Sequence, residues 1–364
     1  MASDTVTPAA AALRPVQGPF VWTGPEMQRR REEWIRPLTP AQIAELEQAV
    51  AALDATGIDI AAIGPEDLRA PSIAPLVAET REALLRGRGF ILIRGVPVDR
   101  WTPRQCAIAY FGLGAKIGEP VSQNAMGHIL GHVKDIGVDY ARPTGRGYQT
   151  AARLPYHTDS SDVVGLLCLK PSKAGGLSSI ASSAAIHNEM LRRDPRLVAA
   201  LMQPVHRDRR GEVPEGAREW YAVPVFNPTP DGGLATTYVR SAMRKAQRFA
   251  EVPRLTPEVE AACDLLDSLA ESPEIHLDME FRPGDIQFLS NHWVLHSRTA
   301  FEDFAEPERR RHLFRLWLAC EGAPTLPEVF TAHWQGATAK GRPAGIRVPG
   351  VPLNAPLDAT LAAA

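Results

Sequence analysis

Apolar positions recur at helical spacing in two N-terminal stretches. Ile43, Leu46, Val50 and Leu53 predict a helix over 40–54 with Thr39 as its N-cap. Leu76, Val77, Leu84 and Leu85 predict a second over 74–86. The texture then changes. Residues 89–95 are a short apolar run between glycines, which reads as a buried strand, and Val96-Pro97 stops it. A third helix is predicted over 102–113. Residues 120–153 show no period and hold five glycines from Gly127 to Gly147, so they read as a long loop of the kind that often carries function. From Leu154 onward the pattern is mostly that of strands, predicted at 163–169, 178–182, 275–281, 286–289 and 313–319. Helices are predicted between them at 184–192, 195–202 and 257–270. Residues 206–234 are polar and turn-rich.

This order, helices first and then strands with inserted helices, predicts an α+β fold with an antiparallel core. It divides into a flexible lead-in over 1–30, one domain over 31–323 and a Pro/Gly/Ala-rich tail over 324–364 that wraps the domain. With 364 residues the chain can bury a large core without a stapling metal or disulfide. Composition narrows the classes further. Hydrophobic residues at 45% and charged ones at 23% exclude disorder and coiled coil. A net charge of −2 gives no nucleic-acid-binding surface, and no apolar run is long enough to span a membrane. The four cysteines are far apart and form no CxxC, and the first residues lack the shape of a signal peptide. Both point to a cytoplasmic protein with free thiols. The long terminal segments leave a homo-oligomer open.

The chemistry concentrates in three segments. In Leu154-Pro-Tyr-His-Thr-Asp159, His157 and Asp159 sit one residue apart, so on a strand edge both face the same way and can share a metal ion. Arg153 and Tyr156 flank them as candidate pocket residues. A second segment carries His292 and His296, either of which could be a third ligand. The spacing of a zinc helix is rejected, because 286–289 reads as strand and no Glu adjoins His292. Two histidines and a carboxylate form a facial triad that leaves coordination positions open, the arrangement of non-haem Fe(II). In the third segment Arg311 and Arg315 share a face of a mostly apolar strand. Buried arginines need anionic partners, so both are candidate carboxylate clamps. Gln123, Asn124 and His128 are candidate lid residues in the long loop, and His206, Arg207 and Arg209 could reach the site's mouth. Trp293 and Trp317 read as core.

Taken together, His157-Thr-Asp159, Gly175-Gly-Leu-Ser178, Gly284-Asp285, Asn291…His296-Ser-Arg-Thr-Ala-Phe-Glu-Asp303 and Arg311…Arg315-Leu-Trp-Leu resemble the TauD/TfdA family, as does Arg88–Pro97. These are Fe(II)- and 2-oxoglutarate-dependent dioxygenases. The resemblance covers about residues 80–320. It implies a double-stranded β-helix (jelly-roll) core with flanking helices, and iron held by His157, Asp159 and His296. It implies that Arg311 takes the distal carboxylate of 2-oxoglutarate. Ser178 stands where the family has threonine, keeping the hydroxyl without the methyl; Ser179 is adjacent. Arg315 matches a position that binds an anionic substrate group in some members. The implied reaction consumes O2 and 2-oxoglutarate, releases succinate and CO2, and hydroxylates an aliphatic carbon of a small carboxylate- or sulfonate-bearing molecule. Desaturation, epoxidation and cyclisation share the cofactors and stay open. A non-oxidative metal-binding jelly roll is the reading from another class; Arg311 and Ser178 argue against it. The carboxylate at 159 disfavours halogenation.

Overall fold

The structure, a computed structural model, describes residues 13–137, 147–213, 216–334 and 336–358. Three helices follow the predicted periodicity: α1 (Pro40–Ala55), α2 (Ala74–Leu85) and α3 (Pro103–Ile117). α1 and α3 each open with Thr followed by Pro and close a reciprocal capping box, Thr39 with Gln42 and Thr102 with Gln105. α3 runs four residues beyond the predicted end. Gly114 lets its last turn sit directly on the sheet, since a Cβ there would lie 2.4 Å from Leu316 Cδ1.

Two sheets build the body. Their strands in chain order are β1 (Ile35–Pro37), β2 (Phe90–Arg94), β3 (Glu119–Pro120), β4 (Gly131–Val133), β5 (Leu154–His157), β6 (Val163–Lys170), β7 (Ser178–Ser182), β8 (Leu277–Met279), β9 (Ile286–Ser290), β10 (Val294–Arg298) and β11 (His312–Ala319). The larger sheet has the order β1-β2-β9-β6-β11-β3, with β4 also on β11. The smaller has the order β8-β7-β10-β5. Apart from the parallel β1–β2 pair the ladders are antiparallel, as the α+β jelly-roll expectation requires.

Strands of the larger sheet are apolar on both faces because both faces are covered. Phe90 and Leu92 point into the space between the sheets, while Ile91 and Ile93 point to the layer of α1, α2 and α3. β11 divides in the same way, with Leu313 and Trp317 inward and Phe314, Leu316 and Leu318 toward the helices. One buried ion pair ties this sheet together: Arg94 donates twice to Asp285, at 2.8 Å each. Helices Ser183–Arg193, Pro195–Leu201 and Pro257–Ala270 cover the smaller sheet.

Three expectations change. The lead-in is packed from residue 13 onward: Trp22 is 2% exposed and Phe20 stacks on Trp293 at 4.9 Å. Its aromatic side chains close the end of the core, and residues 1–12 lie outside the described residues. The polar excursion at 206–234 holds two short ribbons, Val205–Asp208 with Trp220–Val223 and Phe226–Pro228 with Leu234–Thr236. The strand predicted over 275–281 shortens to β8, since it pairs on one side only and Pro283 follows. Among the described residues no helix is long and apolar enough to cross a membrane.

Beyond β11 the chain runs through a short helix, Glu328–Thr331, and otherwise mostly irregular backbone packed on the sheets. Arg342 donates through Nε to Asp162 Oδ2 at 2.9 Å and through Nη2 to Oδ1. His292 takes the same carboxylate at 2.8 Å. Gly345 pairs with Ser122, and Ile346 N donates to Ser122 O at 2.9 Å. Arg342→Ala would leave the fully buried Asp162 short of its main counter-charge. The expected loss is about 3 kcal/mol in urea unfolding, and a change under ~0.5 kcal/mol would show that the strap is not anchored there.

Candidate active site

β5 and β10 are antiparallel neighbours, and their register sets His157 directly opposite His296. The two rings lie 4.3 Å apart. Asp159 stands two residues beyond His157, past the end of β5. The chain there is fixed by Thr158, whose N–H donates to Tyr238 O at 2.9 Å and whose Oγ1 accepts from Tyr238 N at 3.0 Å. The Asp159 N–H donates to Asn291 Oδ1 at 3.0 Å. One ligand atom from each of His157, Asp159 and His296 falls within 4.8 Å of the other two. His292 is not part of this cluster. It faces away, onto Asp162.

The surroundings suit a cation. His157 Nδ1 lies 2.9 Å from Pro155 O, so it carries the hydrogen and leaves the Nε2 lone pair toward Asp159, 4.0 Å away. His296 Nε2 is 3.7 Å from the other Asp159 oxygen. Burial, with help from His157 and Arg315, holds His296 down to about 3. Burial likewise lowers His157. Both imidazoles are therefore neutral and ready to ligate at neutral pH. Burial works against the charge on Asp159, but Arg315, the two histidines and Trp317 outweigh it, so its carboxyl titrates below the usual range. Trp317 donates from Nε1 to Asp159 Oδ2 at 2.9 Å, and Arg315 Nη1 is 3.5 Å from the same oxygen. Two neutral imidazoles, one ionised carboxylate and no fourth protein ligand among the described residues fit an open iron site better than a closed structural zinc site.

A cavity of about 200 Å3 opens beside the cluster. Arg311 and Arg298 line it, 4% and 5% exposed, and both guanidiniums lie over the Phe301 ring. Burial pulls Arg311 down to about 10 and Arg298 to about 9. Arg298 gives its Nη2 hydrogens to the Thr150 and Ala152 carbonyls. Arg311 Nη1 is buried with no hydrogen-bond partner. Neither guanidinium forms an ion pair with a carboxylate among the described residues. Two adjacent buried cations of this kind fit an incoming carboxylate. Ser178 also lines the cavity; its Oγ donates to Gln287 Oε1 at 2.9 Å, across the two sheets.

The other sequence candidates divide. Arg315 lines the cavity and donates from Nε to Gln123 Oε1 at 2.7 Å. Gln123, from the proposed lid, is thus a buried partner of Arg315, whereas Asn124 and His128 bond to each other. Tyr156 lines the cavity, but its hydroxyl is taken by Ser179 Oγ at 2.5 Å. Arg153 is not brought in: half exposed, it pairs with Glu271 at 2.9 Å, because it precedes β5 where the chain is still at the surface. Arg209 reaches the cavity wall; His206 turns onto Trp220 instead. Trp317, read as core, belongs to the site. Sequence reasoning missed Arg298 and Gln287. The signal for Arg298 was its position two residues after His296, on the same strand face.

The geometry predicts that Trp317→Phe, which keeps an aromatic ring but loses the donor to Asp159, weakens Co(II) affinity about 10-fold in a metal titration. An unchanged affinity would mean that Asp159 is oriented without it.

Comparison with known proteins bears on this site. The profile of the taurine catabolism dioxygenase TauD, TfdA family matches residues 35–317. The FR-33289 synthase of Streptomyces rubellomurinus is 30% identical over 91% of this chain and 98% of that protein. A uridine-5'-phosphate dioxygenase of an Amycolatopsis species is 27% identical over 60% of this chain and 81% of that protein. Among solved structures, asparagine oxygenase with Fe(II), 3-hydroxyasparagine and succinate is similar at a TM-score of 0.61 and 16% identity, covering 79% of this chain and 93% of that one. The non-heme iron oxygenase OrfP with Fe and alpha-ketoglutaric acid is similar at 0.59 and 16%, covering 79% of this chain and 94% of that one.

Proposed function

We infer the function from one premise: this chain belongs to the TauD/TfdA family of dioxygenases. It is an Fe(II)- and 2-oxoglutarate-dependent oxygenase that hydroxylates a small molecule. The bound iron, with 2-oxoglutarate and O2, supplies the oxidising power for an unactivated C–H bond, while succinate and CO2 leave. The rest of the reading concerns this chain's own residues. Its main support is the His157–Asp159–His296 cluster standing next to a buried Arg311 that has an unbonded Nη1.

His157, Asp159 and His296 hold the metal. Trp317 and Arg315 keep the Asp159 carboxylate ionised and aimed, and Asn291 fixes the Asp159 backbone by accepting from its N–H. The Pro155 carbonyl fixes the tautomer of His157. Arg311 receives the distal carboxylate of 2-oxoglutarate, Arg298 adds positive potential beside it, and Ser178 offers a hydroxyl on the same wall. Val164, Leu166, Phe281 and Ile346 form apolar parts of the cavity that exclude water from the reacting carbon. Residues 31–323 form one catalytic domain, and the strap contributes Ile346 to it.

The primary substrate carries a negative charge. Arg315, Arg209 and Arg210 all line the cavity, and Arg315 can share itself between Asp159 and an anionic group. The uridine-5'-phosphate named for one set of relatives is itself anionic.

Anaerobic addition of Fe(II) and 2-oxoglutarate to metal-free protein should give a weak visible charge-transfer band. His157→Ala should abolish it by weakening Fe(II) binding. Arg311→Ala should leave Fe(II) binding intact while weakening 2-oxoglutarate about 100-fold. Fe(II) binding without a band in the wild type would remove Arg311 from its role.

A further inference from the structure

Thr236, Thr237 and Tyr238 run between the two segments that carry the His157–Asp159–His296 cluster. They continue the ribbon strand Leu234–Thr236, and their N–H groups alternate in direction as in a strand. Thr237 donates to Val225 O at 3.0 Å, on the ribbon side. Thr236 and Tyr238 donate the other way. The Thr236 N–H goes to His292 O at 2.9 Å, in the turn that leads from β9 into β10. The Tyr238 N–H goes to Thr158 Oγ1 at 3.0 Å, and Tyr238 O accepts from the Thr158 N–H at 2.9 Å. Thr158, between His157 and Asp159, thus makes two bonds to one residue. Thr158, Thr236 and Tyr238 are all buried.

The segment is itself anchored. The Tyr238 ring packs in the core behind its backbone, and its hydroxyl donates to Asp267 Oδ1 at 2.8 Å, on the helix Pro257–Ala270. The other Asp267 oxygen accepts from Arg240 Nη1 at 2.7 Å, and Arg240 also pairs with Glu260 and Asp264 of the same helix. At the other end Thr236 Oγ1 donates to Ser183 Oγ at 2.9 Å. Asp159 needs such support, because it stands past the end of β5. A site of this kind works only if its side chains are held to about 0.5 Å. Asn291 holds the Asp159 N–H on one side, and the Thr158 bonds fix the preceding peptide on the other. The hydroxyl matters because the Tyr238 N–H is buried. A valine at 158 would fill the same space and leave that donor unsatisfied.

We propose that Thr158 and Tyr238 are positioning residues for the metal. The Thr158 hydroxyl, clamped on a Tyr238 that Asp267 anchors, sets the reach of Asp159 toward the ion it shares with His157 and His296. Tyr238 acts through Thr158, and Thr158 through Asp159. The inference rests on the metal reading of the cluster and concerns the residues behind it. Through Thr236 the same segment also holds the turn before β10, so both arms of the cluster are referenced to one anchored piece of chain.

The test titrates the metal-free protein with Co(II), whose visible bands report the geometry of its ligands. Thr158→Val should weaken Co(II) about 10-fold and change the bands. Thr158→Ser, which keeps the hydroxyl, should restore the bands, and the affinity to within ~2-fold of wild type. Tyr238→Phe loses only the donor to Asp267, one step further from the ion, and should weaken Co(II) about 3-fold. Melting of the metal-free variants is followed in parallel. A Thr158→Val protein that melts lower yet binds Co(II) with wild-type affinity and bands would reduce the contact to packing and overturn the proposal. A Thr158→Ser protein as impaired as Thr158→Val would do the same. Should Thr158→Val not fold, Tyr238→Phe decides, and unchanged affinity and bands overturn the bracket. Co(II) binding that His157→Ala leaves untouched would defeat the metal reading of the cluster, and the bracket with it.

Discussion

The whole site depends on one cross-strand pairing, His157 of β5 opposite His296 of β10. Residues directly opposite in an antiparallel ladder have their Cβ atoms about 4.5–5.5 Å apart, close enough for two imidazoles to address one ion. A slip of one residue would turn His296 to the other face and bring Leu295 or Ser297 into its place. The register is held from the far side by β7, where Ile180 faces His296 and Ser178 faces Arg298. The ladder that positions His296, the third member of the cluster, therefore also positions Arg298 and Ser178 on the same inner face. The His157–Asp159–His296 cluster and the proposed co-substrate end of the cavity are one structural object. Gln287 completes it by reaching from β9 in the other sheet to Ser178 Oγ.

What the sequence made readable follows from this. Strands buried on both faces, such as β2, β6, β9 and β11, appear as apolar runs, and α1 to α3 show clear caps and spacing. The metal cluster was readable because two of its members are two residues apart. β10 was not readable as a strand, because the polar side chains at 296 and 298 point into a cavity where a core strand would carry apolar ones. Arg298 and Gln287 escaped for a related reason: their roles come from what stands across a ladder or across the sandwich, which one-dimensional spacing does not contain. The ribbons at 205–236 have strands of three or four residues, too short for a period. The packing of the lead-in was hinted at only by Phe20, Trp22 and Trp34 in a segment otherwise rich in polar and turn residues.

Electrostatics explains why the cavity is incomplete as a protein alone. Elsewhere this chain matches its buried charges carefully. Arg94 meets Asp285, and Asp162 meets both Arg342 and His292. Around the cavity the pattern stops. Arg298 and Arg311 are buried and lean on carbonyls or ring faces instead of acids. A guanidinium taken out of water without a counter-charge costs stability. A fold that pairs buried charges such as Arg94 and Asp162 in this way keeps that cost where an anionic ligand removes it. The single carboxylate at the centre, Asp159, already serves the metal cluster and Arg315.

The strap extends this logic beyond the segment shared with the family. The family profile ends at residue 317, inside β11. Yet Ile346 lines the cavity, and its backbone N–H is bonded to Ser122, next to the Gln123 that holds Arg315. The strap reaches that position because Arg342 is anchored on Asp162, three residues after Asp159, in a network shared with His292, four residues before His296. Both segments that supply the His157–Asp159–His296 cluster are therefore braced by the same buried carboxylate, and the strap completes the brace. Ile346 packs into the cavity wall, while the His157–Asp159–His296 cluster and Arg311 stand on the strands beneath it. Variation in the strap can thus change which molecule fits without disturbing the ladder that sets the chemistry.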